Sequence, residues 1–191
     1  MKKKRGRLAV ILALAGAVLL GLMIGPGLGD QVLRQLYPRK YSEVVAREAE
    51  EFHLPLELVY AVIRTESRFD PKACSRAQAK GLMQLTEQTF EWMAGEYPPE
   101  NGGGDVYNVE DNVHCGCALL RRLLDHYGDE SVALAAYNAG IGNVDRWLEE
   151  PEHSPDGETL RAIPYPETEA YVEKVKRSRN VYRNLYGGHG G

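Results

Sequence analysis

Leu8 to Ile24 is an unbroken apolar run of 17 residues, LAVILALAGAVLLGLMI, which removes one end of the 191-residue chain from any water-soluble core. As a helix rising 1.5 Å per residue it spans roughly 25 Å, and continuing to Leu28 brings it near the ~30 Å of a hydrocarbon layer. Lys2, Lys3, Lys4, Arg5 and Arg7 precede it without an acid. Such a cluster stays in the cytoplasm and sends the following residues across the membrane. Two readings stand, an uncleaved signal anchor and a cleaved signal peptide. Ala13-Leu14-Ala15 has the small-x-small form but lies inside the run, and Gly27-Leu28-Gly29 is a weak cleavage site. The expectation is therefore a single-pass membrane protein with an extracytoplasmic domain, secretion after cleavage being the alternative.

Setting this segment aside changes the charge of what remains. The whole chain has 23 basic and 27 acidic residues, a net of −4, but beyond residue 29 there are 18 basic against 27 acidic. A domain at −9 is a poor partner for nucleic acid, because counterion release requires a basic surface. The 43% hydrophobic content suits one ordinary globular domain and argues against disorder.

Three cysteines follow the segment, Cys74, Cys115 and Cys117. An exported domain allows a disulfide, with Cys74 paired to Cys115 or Cys117, since those two point different ways on one helix. Three buried thiols are the competing reading. C-x-C with one distant Cys and scattered histidines lacks the paired spacing of a zinc site. No metal is expected.

The pattern past the membrane is helical nearly throughout. Helices are expected at Ser42 to His53, Pro55 to about Ser67, Thr86 through Met93, Val109 to Tyr127, Ser131 to Asn138, Asn143 to Leu148 and Glu167 to Tyr186. Pro98 to Gly104 and Glu150 to Thr159 read as loops. The division is a basic stub and anchor at 1–29, a linker at 30–40, one all-α domain at 41–186 and a disordered tail at 187–191.

The second helix holds the informative residue. Leu56, Val59, Val62 and Ile63 share one face, and at 100° per residue Glu66 falls within about 20–80° of all four. The helix thus aims a carboxylate inward near its C-terminal end. Burial and the negative end of the helix both disfavour ionisation, and a carboxyl group kept protonated is what a general acid requires. The bland alternative is a helix that simply ends, with Glu66 turned to water or paired with Arg64 or Arg68.

Glu66-Ser67, Gly81-Leu82-Met83-Gln84, Ala136-Tyr137-Asn138-Ala139-Gly140 and Glu167-Thr168 with Tyr171 stand in that order. Together they resemble the motifs of lytic transglycosylases of the family-1 type, with the soluble lytic transglycosylase catalytic domain. The resemblance covers about Tyr41 to Tyr186. It implies a lysozyme-like α-helical fold and cleavage of the MurNAc–GlcNAc β-1,4 bond in peptidoglycan glycan strands. It also implies that Glu66 is the catalytic acid/base. Ser67, Ser75, Gln84, Tyr137, Asn138, Glu167 and Tyr171 match positions that line the glycan cleft or support the acid, and Asn112 matches the Asn beginning the central helix. Thr86-Glu87 stand where the family commonly has Met-Pro.

The family's chemistry needs one acid, with the C6 hydroxyl of the substrate closing on C1 to give a 1,6-anhydromuramoyl end. No second carboxylate matches a catalytic position; Asp70, followed by Pro71, reads as a turn residue. No cofactor is called for, and a monomer is expected. The rivals are a hydrolytic muramidase on the same fold and an inactive glycan-binding module of an envelope assembly.

Overall fold

The computed structural model describes residues 26–100 and 103–187, with side chains from residue 29. The Leu8–Ile24 run and the last four residues lie outside the described residues. Among the described residues no helix is long and apolar enough to cross a membrane.

The chain divides into two units, Met1–Pro38 and Arg39–Gly191. The described part of the first is helix α1 (Pro26–Leu36), which exposes Val32, Leu33 and Leu36. It occupies most of the stretch read as a linker.

The second unit contains α2 (Ser42–Glu51), α3 (Leu56–Glu66), α4 (Glu87–Glu96), α5 (Val109–Tyr127), α6 (Glu130–Ala139), α7 (Ile141–Glu149) and α8 (Pro166–Tyr186). The described residues are all-α; pairing outside helices is limited to isolated bridges joining Cys74 to Lys80 and Lys80 to Leu85. Helix α5 is the axis. Every residue from Asp111 to Leu120 is buried, because α2, α4 and α6 all pack against it. Helix α3 lies along α8, which also meets α6. The site is built from these last three.

Helix ends follow from the local sequence. Asn108 accepts from the Glu110 and Asp111 amides, Asp129 from those of Ser131 and Val132, and Thr86 from that of Thr89. Each such cap is worth about 1 kcal/mol. Gly140, at φ 87°, closes α6 and opens α7, so α7 begins two residues before the expected Asn143. At the start of α3, Pro55 is the N-cap rather than part of the first turn.

Two polar features were not anticipated. Glu48 of α2 and His114 of α5, 4% and 8% exposed, form an ion pair of 2.7 Å inside the domain. Arg47 pairs with the other oxygen of the same carboxylate at 2.9 Å. The disulfide expectation is corrected, as is the alternative of three buried thiols. Cys115 and Cys117 are buried in α5 whereas Cys74 is exposed on the loop after α3, and all three are free. Their elements place them in different environments, so the thiols do not meet.

Candidate active site

Helix α3 buries Leu58 through Ile63 without a break, which fixes the rotation of its last turn. Glu66 follows on that turn, half-buried, and lines an open cleft of about 580 Å³ with Thr65, Asn138, Glu167, Tyr171 and Lys174. Thr65 shares α3 with Glu66, Asn138 comes from the end of α6, and Glu167, Tyr171 and Lys174 come from the N-terminal half of α8. The cleft is thus the junction of three helix ends. Thr168 Oγ1, on buried Thr168, donates to Asn138 Oδ1 at 2.8 Å, tying α8 to α6 beside the acid.

Four sequence-predicted residues meet in the cleft: Glu66, Asn138, Glu167 and Tyr171. Four others do not line it. Ser67 caps α3, its hydroxyl donating to Ile63 O at 3.2 Å and accepting from the Phe69 amide at 3.1 Å. Ser75 Oγ accepts from the Ala79 amide at 3.1 Å, closing a turn. Gln84, at φ 51°, donates through Nε2 to Gly81 O at 2.9 Å and Ala73 O at 3.2 Å. Tyr137 Oη donates to Met83 O at 2.9 Å.

These bonds fasten one loop. Between α3 and α4 the backbone takes positive φ at Arg68, Phe69, Gln78 and Gln84, a conformation that costs a non-glycine residue of order 1 kcal/mol each. Asn112 offsets this from below. Its Oδ1 accepts the Met83 amide at 2.7 Å, while Nδ2 donates to Val106 O at 2.8 Å and Lys80 O at 3.1 Å. Gly81, at φ 76°, sits so close above Asn112 that a Cβ would overlap its amide, and a Cβ on Gly116 would overlap the Met83 side chain. The motif glycine and the α5 asparagine form one packed unit.

Burial pushes the Glu66 carboxyl up to about 7, against smaller downward pulls from the Tyr171 hydroxyl and the Lys174 ammonium. Among the described residues Glu66 has no ion-pair partner. The Tyr171 contact falls short of a full hydrogen bond, leaving a buried phenol oxygen without a partner next to the acid. Burial, with the nearby Glu66 charge, holds both Tyr137 and Tyr171 well above the usual phenol range. Both therefore remain hydrogen-bond donors. A half-buried carboxyl that keeps its proton near neutral pH, with fixed phenols around it, can deliver that proton to a bound oxygen and take another back.

Asp70 is exposed and accepts the Lys72 amide at 2.9 Å, a turn residue as expected. Glu150, Glu152 and His153 bring possible metal-ligand atoms within 4.8 Å of one another. They sit on the α7–α8 loop and none lines the cleft. Lys174 and Thr65 were missed from the sequence. Lys174 falls one turn beyond Tyr171 on the same face of α8, the signal that could have found it.

The family model described as the transglycosylase SLT domain matches residues 43–159. The soluble lytic murein transglycosylase of Salmonella typhimurium is 30% identical over 159 residues, covering 81% of this chain and 25% of that protein. The membrane-bound lytic murein transglycosylase F of Desulfosudis oleivorans is 33% identical over 120 residues, covering 58% and 25%. Among solved structures, an inactive mutant of lytic transglycosylase Slt from Pseudomonas aeruginosa superposes with a TM-score of 0.69 at 30% identity, covering 79% of this chain and 25% of that one. The 70-kDa soluble lytic transglycosylase of Escherichia coli gives 0.71 at 27%, covering 81% and 26%. The chain spans about a quarter of the length of these relatives.

Proposed function

The chain belongs to the transglycosylase SLT domain family, and from that premise we propose that it is a peptidoglycan lytic transglycosylase. It cleaves the MurNAc–GlcNAc β-1,4 bond without water and leaves 1,6-anhydromuramoyl ends. The observation that carries this reading is Glu66, held at about 7 by burial in a cleft that presents phenol and amide groups around it.

In the first step the Glu66 proton goes to the glycosidic oxygen and the C1–O bond breaks, leaving an oxocarbenium-like centre. Its charge is met by the Glu66 carboxylate and by cleft dipoles, which cost little reorganisation because the folded chain already orients them. In the second step the muramoyl C6 oxygen bonds to C1 and its proton returns to Glu66. Acid and base are the same group, as a pKa near neutrality permits. Asn138, Glu167 and Tyr171 contact the glycan, while Ser67, Ser75, Gln84, Tyr137 and Asn112 hold the wall they face.

A hydrolytic muramidase is a specific second reading, because a second carboxylate, Glu167, lines the same cleft and two flanking carboxylates are the usual hydrolytic apparatus. Mass spectrometry of digested, purified peptidoglycan separates the two. Products lighter by one water than reducing muropeptides support transglycosylation; reducing MurNAc ends would replace it with hydrolysis. No turnover at all would favour the inactive binding module.

The Leu8–Ile24 run with its basic flank supports a signal anchor, placing a monomeric enzyme outside the cytoplasmic membrane. Relatives named both soluble and membrane-bound leave room for the cleaved alternative. Membrane fractionation of the expressed chain, with N-terminal sequencing, tests this.

A further inference from the structure

Lys174 is the one cation among the residues lining the cleft. It is exposed and has no ion pair among the described residues. The helix explains why. Side chains three and four positions away are its neighbours on α8, and at Lys174 these are Ala170, Tyr171, Arg177 and Ser178. None is acidic. Nearby Glu173 pairs instead with Arg177 at 3.8 Å. The ammonium is therefore left facing the cleft, one turn beyond Tyr171 and within electrostatic reach of Glu66.

A cation without an ion pair beside an acid that must stay protonated is a conflict, because its field favours the ionised acid. An anion arriving with the substrate resolves it: the new ion pair cancels the field at Glu66. The sugar rings and N-acetyl groups of a MurNAc–GlcNAc strand are neutral. Its negative charge lies on the lactyl arm at C3 of the muramoyl ring, as the free lactyl carboxylate or as a carboxylate of a peptide attached there.

We propose that Lys174 receives a carboxylate carried on the muramoyl lactyl arm, so that this cleft selects glycan by the charge of that arm as well as by its sugars. The inference rests on the glycan-cleaving reading and adds a substrate class to it. Two sources share the chemistry. A free lactyl carboxylate places the charge closest to the ring, and a peptide carboxylate places it farther out.

The test uses the full chain carrying Glu66→Gln, so that glycan is bound and not consumed. Affinity is measured calorimetrically for chitotetraose, a GlcNAc–MurNAc tetrasaccharide with free lactyl carboxylates, the same tetrasaccharide with methylamide in their place, and one carrying a peptide with a free carboxylate. Adding Lys174→Gln should weaken binding of a carboxylate-bearing tetrasaccharide about fivefold to tenfold. Chitotetraose and the methylamide should change by less than twofold, and Lys174→Arg should restore most of the loss. Whichever carboxylate form responds identifies the source. Equal loss for charged and neutral ligands, or no loss for any, overturns the role of Lys174 and leaves the catalytic reading standing. Failure of every saccharide to bind, with no cleavage by the unsubstituted chain, overturns both.

Discussion

His114 Nδ1 lies 2.7 Å from Glu48 Oε2, and the opposite ring nitrogen reaches Tyr97 O at 3.2 Å. Both ring nitrogens face acceptors, so the imidazolium form satisfies both. The hydrogen bond to Glu48 holds His114 above its usual range despite burial. Burial alone would raise Glu48, but the bonds from His114 and Arg47 outweigh it and hold that carboxyl low. The signs give a window. The His114 contribution is full below about 6.5 and is lost as pH rises through its raised folded pKa. The Glu48 contribution is full above about 4.5 and is lost as pH falls through its lowered one. Thermal melts should therefore show the pair contributing most between about pH 4.5 and 6.5. His114→Leu should cost about 3 kcal/mol at pH 6 by leaving the buried Glu48 carboxylate with its Arg47 partner alone, and double substitution with Glu48→Leu should recover much of it.

Glu66→Gln should abolish glycan cleavage and stabilise the domain. A carboxyl raised to about 7 in the fold but not in the unfolded chain binds more protons when folded, so stability falls as pH rises from about 4.5 to 7. Glutamine removes that dependence. Above pH 7 the variant should be more stable by about 3 kcal/mol, and at pH 4 nearly equal to the parent. Parallel denaturant titrations at the two pH values measure the difference, and retained turnover would remove Glu66 from the acid/base role.

Glu167→Gln separates the two enzymatic readings in a second way. Under transglycosylation Glu167 contacts the glycan only, so kcat should fall by about tenfold and the anhydro product should persist. Under two-carboxylate hydrolysis the loss should approach that of Glu66→Gln. Single-turnover assays with product mass analysis distinguish the outcomes.

Asn112→Ala should loosen the loop rather than remove a cleft contact. It strands the Met83 amide and the Val106 carbonyl and leaves Lys80 O with the Leu85 amide alone, at about 2–3 kcal/mol for buried groups left unsatisfied. Gly116→Ala should act on the same segment from the other side by displacing Met83. Hydrogen exchange should show lost protection at Leu82 to Leu85 in both variants, with α5 itself still protected.

The helices were legible because each carries its own evidence. Apolar spacing over Leu56–Ile63 and Val113–Leu124, together with Thr86 and Gly140 at ends, needs no knowledge of partners. Glu66 stood out because a carboxylate on an apolar face contradicts the pattern around it. What remained hidden depends on groups far apart in sequence. His114 and Glu48 are 66 positions apart, and nothing near either announces the other. Gln84 and Tyr137 were legible as motif residues, but their hydrogen bonds go to backbone carbonyls, and every residue has one. Lys174 was hidden for the opposite reason: a lysine on a charged helix reads as an ordinary solvated side chain until α3 is seen against it.

The separation of the thiols gives the molecule a built-in reporter. Burial pushes Cys115 up to about 12 and Cys117 well above its usual value, so both remain unreactive thiols inside α5. Cys74 is the one exposed thiol, and it precedes Ser75 on the loop that Gln84 and Asn112 fasten. A maleimide dye added to the unaltered chain would attach there alone. Its anisotropy would follow that loop as glycan is added, with no cysteine first removed or introduced.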